Sequence, residues 1–319
     1  MGSFRSRSEV KVRFAVSGAG GPPDPAQLGE VVVEAEEKGF DTIWLSDVPM
    51  LGSTDPMLGV AFAAARSSRL RLGINLIPFG STTFVTAHRL AQLDCLTGGR
   101  LLVTLVPGLD QPGERQALGT SGRRRGDLIE EMLPELRSWW AGEEVELGDG
   151  TAAKLAVTPM QAPLEVWLGG SGSGAIRRAG RVADGWLGAR VSPERAGEIR
   201  RAIIREAEMS GRTMDPEHFG LSLAYARTAS DPERAKPLRL PRSRPMSLGT
   251  QALTEVPGGD IPHEAIPVGA SELRTLIRRL VDEGLSKFVV RPAAPPEGPA
   301  GGWTAELEWL AGTLLDLQS

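Results

Sequence analysis

The sequence predicts a single-domain α/β fold, a (β/α)8 TIM barrel over residues 1–319, and three observations predict it. Short apolar runs alternate with helical patterns along the chain. Successive runs begin about thirty residues apart, the size of a β-α-β unit. Counting them gives eight strands and eight helices, which favours a closed barrel over an open doubly wound sheet.

The elements follow in order. Val12 to Val16 is the first strand, and Pro25 to Lys38 is a helix stopped by Gly39. Phe40 to Leu45 is the second strand, leading into Ser46-Asp47. Asp55-Pro56 then opens a helix to about Arg66, an N-cap followed by proline in the first turn. Leu70 to Ile77 is the third strand and Thr83 to Leu96 its helix. Arg100 to Val106 is the fourth strand, with a long helix from about Gly126 to Trp140. Leu164 to Leu168 is the fifth strand, followed at once by a helical pattern. Gly185 to Ala189, with a helix from Pro193 to Met209, makes the sixth unit, and Phe219 to Ala226 is the seventh strand. Ser271 to Glu283 is helical, Lys287 to Val290 is the eighth strand, and Trp303 to Leu315 is the last helix.

Two segments break the rhythm. Glu143 to Pro163 reads as a loop with a small hairpin, because Asp149-Gly150 is a turn signal. Residues 228–270 are rich in Pro, Arg and Gly and show no period, so they read as an insertion after strand seven. Such an insertion is either a lid over the site or an exposed excursion, and the sequence leaves both readings open.

The fifth unit carries the most informative stretch. The run Val166-Trp167-Leu168 ends in Gly169-Gly170-Ser171-Gly172-Ser173-Gly174, and a helical pattern starts directly after it. A strand, a glycine turn and a helix N-terminus together make an anion site, because the backbone can approach closely and N–H groups point outward. Formally, Gly170 to Ala175 also satisfies the dinucleotide pattern G-x-G-x-x-A, with Arg190 twenty residues on to meet a 2′-phosphate. That would suit an NADPH-dependent oxidoreductase, but the fingerprint falls in the fifth unit rather than the first.

Barrel sites lie at the C-terminal ends of the strands. Those ends carry Ser17, Ser46, Asp47, Asn75, Leu76, Val106, Pro107, Gly169, Gly170, Arg190, Tyr225, Arg227 and Arg291. Asp47 is the one carboxylate directly at a strand end and the candidate proton acceptor. Arg190 and Arg291 are cations able to pair with an anionic cofactor or substrate. The run Arg123-Arg124-Arg125 reads as a solvated charge run. The histidines fall elsewhere: His88 inside a helix, His218 at the opposite barrel end, and His263 in the insertion. No His/Asp/Glu spacing suggests a metal site.

Composition narrows the classes. The formal net charge of −4 argues against a nucleic-acid partner. Cys95 is the sole cysteine, so no internal disulfide forms, and its apolar neighbours suggest a buried core thiol. No apolar run spans a bilayer and no signal-peptide core is present, so no membrane role and a cytoplasmic location are expected. The start Met1-Gly2-Ser3-Phe4-Arg5-Ser6 fits a myristoylation pattern formally and reads as an ordinary N-terminus.

Several segments resemble the luciferase-like superfamily of flavin- and deazaflavin-dependent oxidoreductases. They are Gly39 to Asp47, Arg69 to Gly73, Leu93 to Leu101, Trp167 to Gly170 with Ala183 to Trp186, and Leu280 to Pro292. The resemblance covers most of the chain outside the insertion. It implies a barrel that binds FMN or coenzyme F420 at its C-terminal face and acts on a small organic substrate. The activity would be FMNH2 with oxygen, as a monooxygenase, or hydride donation from F420H2. It further implies a non-prolyl cis peptide at Asn75-Leu76 beside the flavin ring, Val106 near that ring, a phosphate on Gly169, Gly170, Ser171 and Gly172, and a homodimer. Asp47 and Arg291 are then the catalytic candidates, and Asn75, Leu76, Val106, the glycine turn and Arg190 the cofactor-binding ones. Two departures stand out. Where F420-dependent members carry a histidine after the Ser-Asp pair this chain has Val48, and where some carry a glutamate after strand four it has Leu109. These fit chemistry carried by the cofactor itself. They also leave open a degenerate barrel that serves as a binding or interaction protein.

Overall fold

The computed structural model describes residues 11–17, 24–51, 53–109, 111–228, 266–293, 296 and 301–319. Eight parallel strands close into a barrel. They are β1 (Arg13–Ser17), β2 (Thr42–Ser46), β3 (Arg71–Leu76), β4 (Leu101–Leu105), β7 (Val166–Leu168), β8 (Gly185–Ala189), β9 (Phe219–Tyr225) and β10 (Lys287–Pro292). Each pairs with the next, and β10 pairs with β1 to complete the circle. The strands β5 (Val145–Glu146) and β6 (Ala152–Ala153) form a separate antiparallel hairpin. Its turn is the expected Asp149-Gly150, with Asp149 accepting the Thr151 N–H at 2.9 Å.

The connecting helices start where capping chemistry says they should. Helix α1 (Pro25–Lys38) is capped by Asp24, α2 (Pro56–Ala64) by Asp55, α3 (Thr83–Thr97) by Thr82 and α7 (Pro193–Met209) by Ser192. Each cap side chain accepts at least one first-turn N–H, which stabilises a helix start by about 1 kcal/mol. The other helices are α4 (Pro112–Ala117), α5 (Arg125–Trp140), α6 (Ser173–Val182), α8 (Gly269–Asp282) and α9 (Gly301–Leu314). The fourth unit therefore carries two helices rather than the single one expected, since α4 precedes α5.

Side chains alternate across each strand, so the barrel wall has two faces. The outward face packs against the helices in one continuous core. A smaller cluster of Ala15, Trp44, Leu102, Trp167, Leu187 and Val289 fills the inside. Two indoles dominate that interior, and glycines make room for them. A Cβ added at Gly73 would lie 2.2 Å from the Trp44 ring, and one at Gly185 2.4 Å from the Trp167 ring. At the N-terminal end, Lys287 and Arg13 meet Asp41 at 3.1 and 3.5 Å.

Three expectations change. Cys95 is half-buried rather than a core thiol, because the next residue, Leu96, already faces outward at 66% exposure. Its Sγ lies 3.5 Å from the Thr158 carbonyl. The peptide Asn75–Leu76 is trans; the cis bond among the described residues is Ala162–Pro163. The reason is local: β3 stays in register with both neighbours through these residues, Asn75 with Ser46 and Thr104 and Leu76 with Leu105. Ladder bonds continue past the strand end, with the Asp47 and Val106 N–H groups donating to the Asn75 and Leu76 carbonyls at 2.8 and 2.9 Å. Thirdly, β1 and β10 extend further toward the C-terminal face than expected, to Ser17 and Pro292. Most of the expected insertion, including His263, lies outside the described residues.

Candidate active site at the barrel mouth

The C-terminal ends of β2, β3, β4 and β7 bring five of the expected residues together. Asn75 Nδ2 donates to Ser46 Oγ at 2.9 Å across the β2–β3 pair. Asp47, just beyond β2, accepts the Ile77 N–H at 3.2 Å. Val106 faces Gly169, whose added Cβ would come within 3.9 Å of Val106 Cγ1 and 3.1 Å of the Leu187 carbonyl. Leu76 differs: its side chain belongs to the outer core against the helices, so only its backbone borders the mouth.

The glycine turn sits at the top of β7. Gly170 has φ of +104°, a left-handed geometry that suits glycine, and its carbonyl accepts Trp186 Nε1–H at 2.9 Å. Gly172 is the N-cap of α6 and offers no capping side chain. The first-turn N–H groups of α6 are thus not served by a side-chain cap, as an anion-binding helix start requires. Arg195 reaches the Ser171 carbonyl from the side at 3.5 Å.

Across the mouth stand two arginines. Arg190 is exposed and has φ of +56°, rare for a residue with a Cβ. Arg291 lies on the inward face of β10, two residues beyond the interior residue Val289. Among the described residues neither side chain has a hydrogen bond or an ion-pair partner. Burial, and then the like charge of Arg190, push the Arg291 guanidinium below its ordinary pKa. Two cations held near each other without a counter-charge among the described residues make an anion-seeking rim.

Asp47 shows the opposite sign. Burial is the main cause of an upward shift, with the Asp55 and Glu114 carboxylates adding to it, while the Ile77 N–H works against it. Glu114 escaped the sequence reading because α4 is too short to show a period. It is buried at 1% exposure and pairs with Arg125 at 2.5 Å. Arg125 also donates to the Pro107 carbonyl at 2.7 Å and to Thr120 Oγ1 at 2.9 Å. The expected solvated run is therefore corrected: Arg123 and Arg124 are exposed, but Arg125 is a buried strut under the β4 loop.

The sequence reading also passed over Thr104, Trp44 and Trp167. Their polar side-chain atoms Thr104 Oγ1, Trp44 Nε1 and Trp167 Nε1 are buried without a hydrogen-bond partner, as is Asn75 Oδ1. The two described histidines stay away from the mouth. His218 Nδ1 bonds the Asp184 carbonyl at 2.9 Å near the other barrel end, and His88 stacks on Phe84. Among the described residues no cluster of His, Cys, Asp or Glu could hold a metal ion, and no helix is long and apolar enough to cross a membrane.

Comparison with known proteins gives concordant results. The family model for luciferase-like monooxygenases matches residues 9–264 of the 319. A 5,10-methylenetetrahydromethanopterin reductase of Methanolobus tindarius is 26% identical over 220 residues, covering 67% of this chain and 65% of that protein. An F420-dependent glucose-6-phosphate dehydrogenase of Beutenbergia cavernae is 28% identical over 295 residues, covering 83% of each chain. With the first of these the chain thus spans just under two thirds of the relative's length. Among solved structures, an F420-dependent secondary alcohol dehydrogenase with an F420-acetone adduct superposes with a TM-score of 0.76 at 16% identity, covering 97% of this chain and all of that one. The oxygenating constituent of the 3,6-diketocamphane monooxygenase of Pseudomonas putida, in complex with FMN, superposes at 0.72 with 15% identity, covering 97% and 99%. At such identities the structural likeness shows the barrel fold.

Proposed function

The chain belongs to the luciferase-like monooxygenase family, and on that premise we propose that it is an oxidoreductase using coenzyme F420 or FMN on a small organic substrate. The observation that carries this reading is the Gly169–Gly172 turn at the barrel mouth, its helix start without a side-chain cap. The residues fit such a cofactor. The turn and α6 would hold the phosphate. Asn75, Val106 and the backbone at Leu76 would border the ring, and Arg190 would meet further negative charge. A reduced flavin or deazaflavin supplies the electrons, as hydride or through oxygen. That suits a mouth where Val48 and Leu109 leave few ionisable groups. The protein's own share is to bind, to orient and to manage one proton.

Asp47 is the group placed for that proton. Its raised pKa keeps the carboxyl protonated to higher pH than a free aspartate, so it can donate during reduction. Activity then falls as pH rises through the Asp47 pKa, and Asp47→Asn lowers kcat and flattens that limb. The variant's effect on stability is opposite in sign to its effect on kcat. A folded pKa above the unfolded one favours the fold at low pH and loses that contribution as pH rises. Asp47→Asn should therefore raise Tm at pH 8 and leave it unchanged near pH 4. Equal Tm shifts at both pH values would remove this role.

The direct test is equilibrium titration of the protein with FMN and F420 in both redox states. One-to-one binding of one of them, followed by turnover of its reduced form, is expected; absence of binding by both overturns the reading. The same sample bears on assembly. Leu58 on α2 is 71% exposed on a helix that is otherwise mostly apolar, which supports a homodimer through that face. Sedimentation at the mass of one chain would exclude it.

A further inference from the structure

The glycine turn is held from the helix side by an indole. β7 and β8 pair with Leu168 beside Trp186, one residue before the turn begins. The Trp186 side chain is fully buried in the outer core, between β8 and the helices. From there its Nε1–H donates to the Gly170 carbonyl at 2.9 Å. Three glycines make room for this contact. Gly170 takes a φ of +104°, a Cβ added at Gly188 would lie 2.2 Å from the Trp186 ring, and one at Gly169 would lie 3.1 Å from the Leu187 carbonyl. The fold does not supply every buried indole with an acceptor, since Trp44 Nε1 and Trp167 Nε1 have none. The bond from Trp186 is therefore more than routine satisfaction of a core donor.

Peptide geometry gives this contact a consequence. In a trans peptide the carbonyl and the next N–H point in opposite directions. With the Gly170 carbonyl drawn outward to Trp186, the Ser171 N–H points the other way, toward the mouth. Arg195 draws on the next carbonyl, that of Ser171, at 3.5 Å. The Ser171 and Gly172 N–H groups donate to no acceptor among the described residues. A glycine peptide turns freely unless something fixes it, and that freedom would have to be given up on binding. We propose that Trp186 is a positioning residue for the cofactor phosphate. Its indole N–H fixes the Gly170–Ser171 peptide so that the turn presents N–H groups to an anion in advance. This rests on the cofactor reading above. A phosphate accepting from the Ser171 N–H would in turn make the Gly170 carbonyl a better acceptor for Trp186, so the two bonds strengthen each other.

The test pairs each cofactor with its phosphate-free form: FMN with riboflavin, and F420 with its deazaflavin-ribityl fragment. Binding is measured to the full chain and to three variants. With the parent cofactor that binds, Trp186→Phe should weaken the phosphate-bearing form roughly tenfold and the phosphate-free form by no more than about twofold. Trp186→His should recover most of the lost affinity, because imidazole carries Nε2 at the ring position of the indole Nε1. Trp140→Phe is the control. That indole, 7% exposed, also donates to a backbone carbonyl, that of Ala87 at 3.0 Å, and its loss should leave both affinities unchanged. A second readout needs no variant. With the indole nitrogens labelled, the Trp186 N–H proton resonance of the unaltered protein should move downfield as the phosphate-bearing form binds and hold its place with the phosphate-free form. Equal weakening of both forms by Trp186→Phe, or equal resonance shifts with both, would leave the indole as core packing and overturn the proposal. If neither parent cofactor binds, the cofactor reading itself fails, and the role of Trp186 falls with it.

Discussion

Replacing Glu114 with alanine should destabilise the protein by about 3–5 kcal/mol, the usual effect of removing one partner of a buried ion pair. The Glu114 and Arg125 side chains are 1% and 2% exposed, so the guanidinium left behind cannot be rehydrated by water without opening the loop. The melting temperature should drop by on the order of 10 °C in a chain of this size. Added salt should do little to the difference, since a buried pair is poorly screened. Function should suffer too. Arg125 holds the Pro107 carbonyl, and an added Cβ at Gly108 would lie 2.8 Å from Glu114 Oε2. The pair thus fixes the β4 loop that positions Val106 opposite Gly169. Cofactor affinity should weaken in Glu114→Ala even at temperatures where the protein is fully folded. A melting temperature within 2 °C or so of the original would show that the pair contributes little.

That buried pair also marks where the sequence stopped being legible. The barrel was readable because its signals are local. Asp24-Pro25, Asp55-Pro56 and Ser192-Pro193 announce helix starts, Gly39 announces a stop, and the strand spacing does the rest. The glycine turn was readable for the same reason. What sequence could not give was the facing of side chains in the strands. Parallel barrel strands are buried on both sides and read as continuous apolar runs, so nothing in Leu101-Leu102-Val103-Thr104-Leu105 says that Thr104 points inward. Nor does anything in their runs say that Trp44 and Trp167 turn into the barrel interior. Arg125 was misjudged because a run of three arginines gives no hint that the third is buried. Its partner Glu114 lies on a six-residue helix with no readable period. The resemblance supplied the mouth and its cofactors, but the expected cis bond was not found in the regular end of β3.

Arg291→Leu should separate stability from function more sharply than any other single change. Arg291 is largely buried on the inner face of β10 without a partner among the described residues, and Arg190 repels it. Such an arrangement costs the fold something, because a charge taken out of water is not repaid by an ion pair. Leucine keeps much of the apolar stem and removes that cost, so the melting temperature should rise. The ligand side should move oppositely. An anionic group docked between Arg190 and Arg291 loses one desolvated charge contact, worth about 2–5 kcal/mol. Binding of an anionic ligand should therefore weaken on the order of a hundredfold. Arg190→Leu should weaken binding less, since that side chain is exposed and screened. Lysine at 291 should restore part of the affinity but not the two-pronged geometry of guanidinium. Loss of stability in Arg291→Leu with unchanged affinity would mean that the side chain is a structural strut, and the rim would then have no claim on an anion.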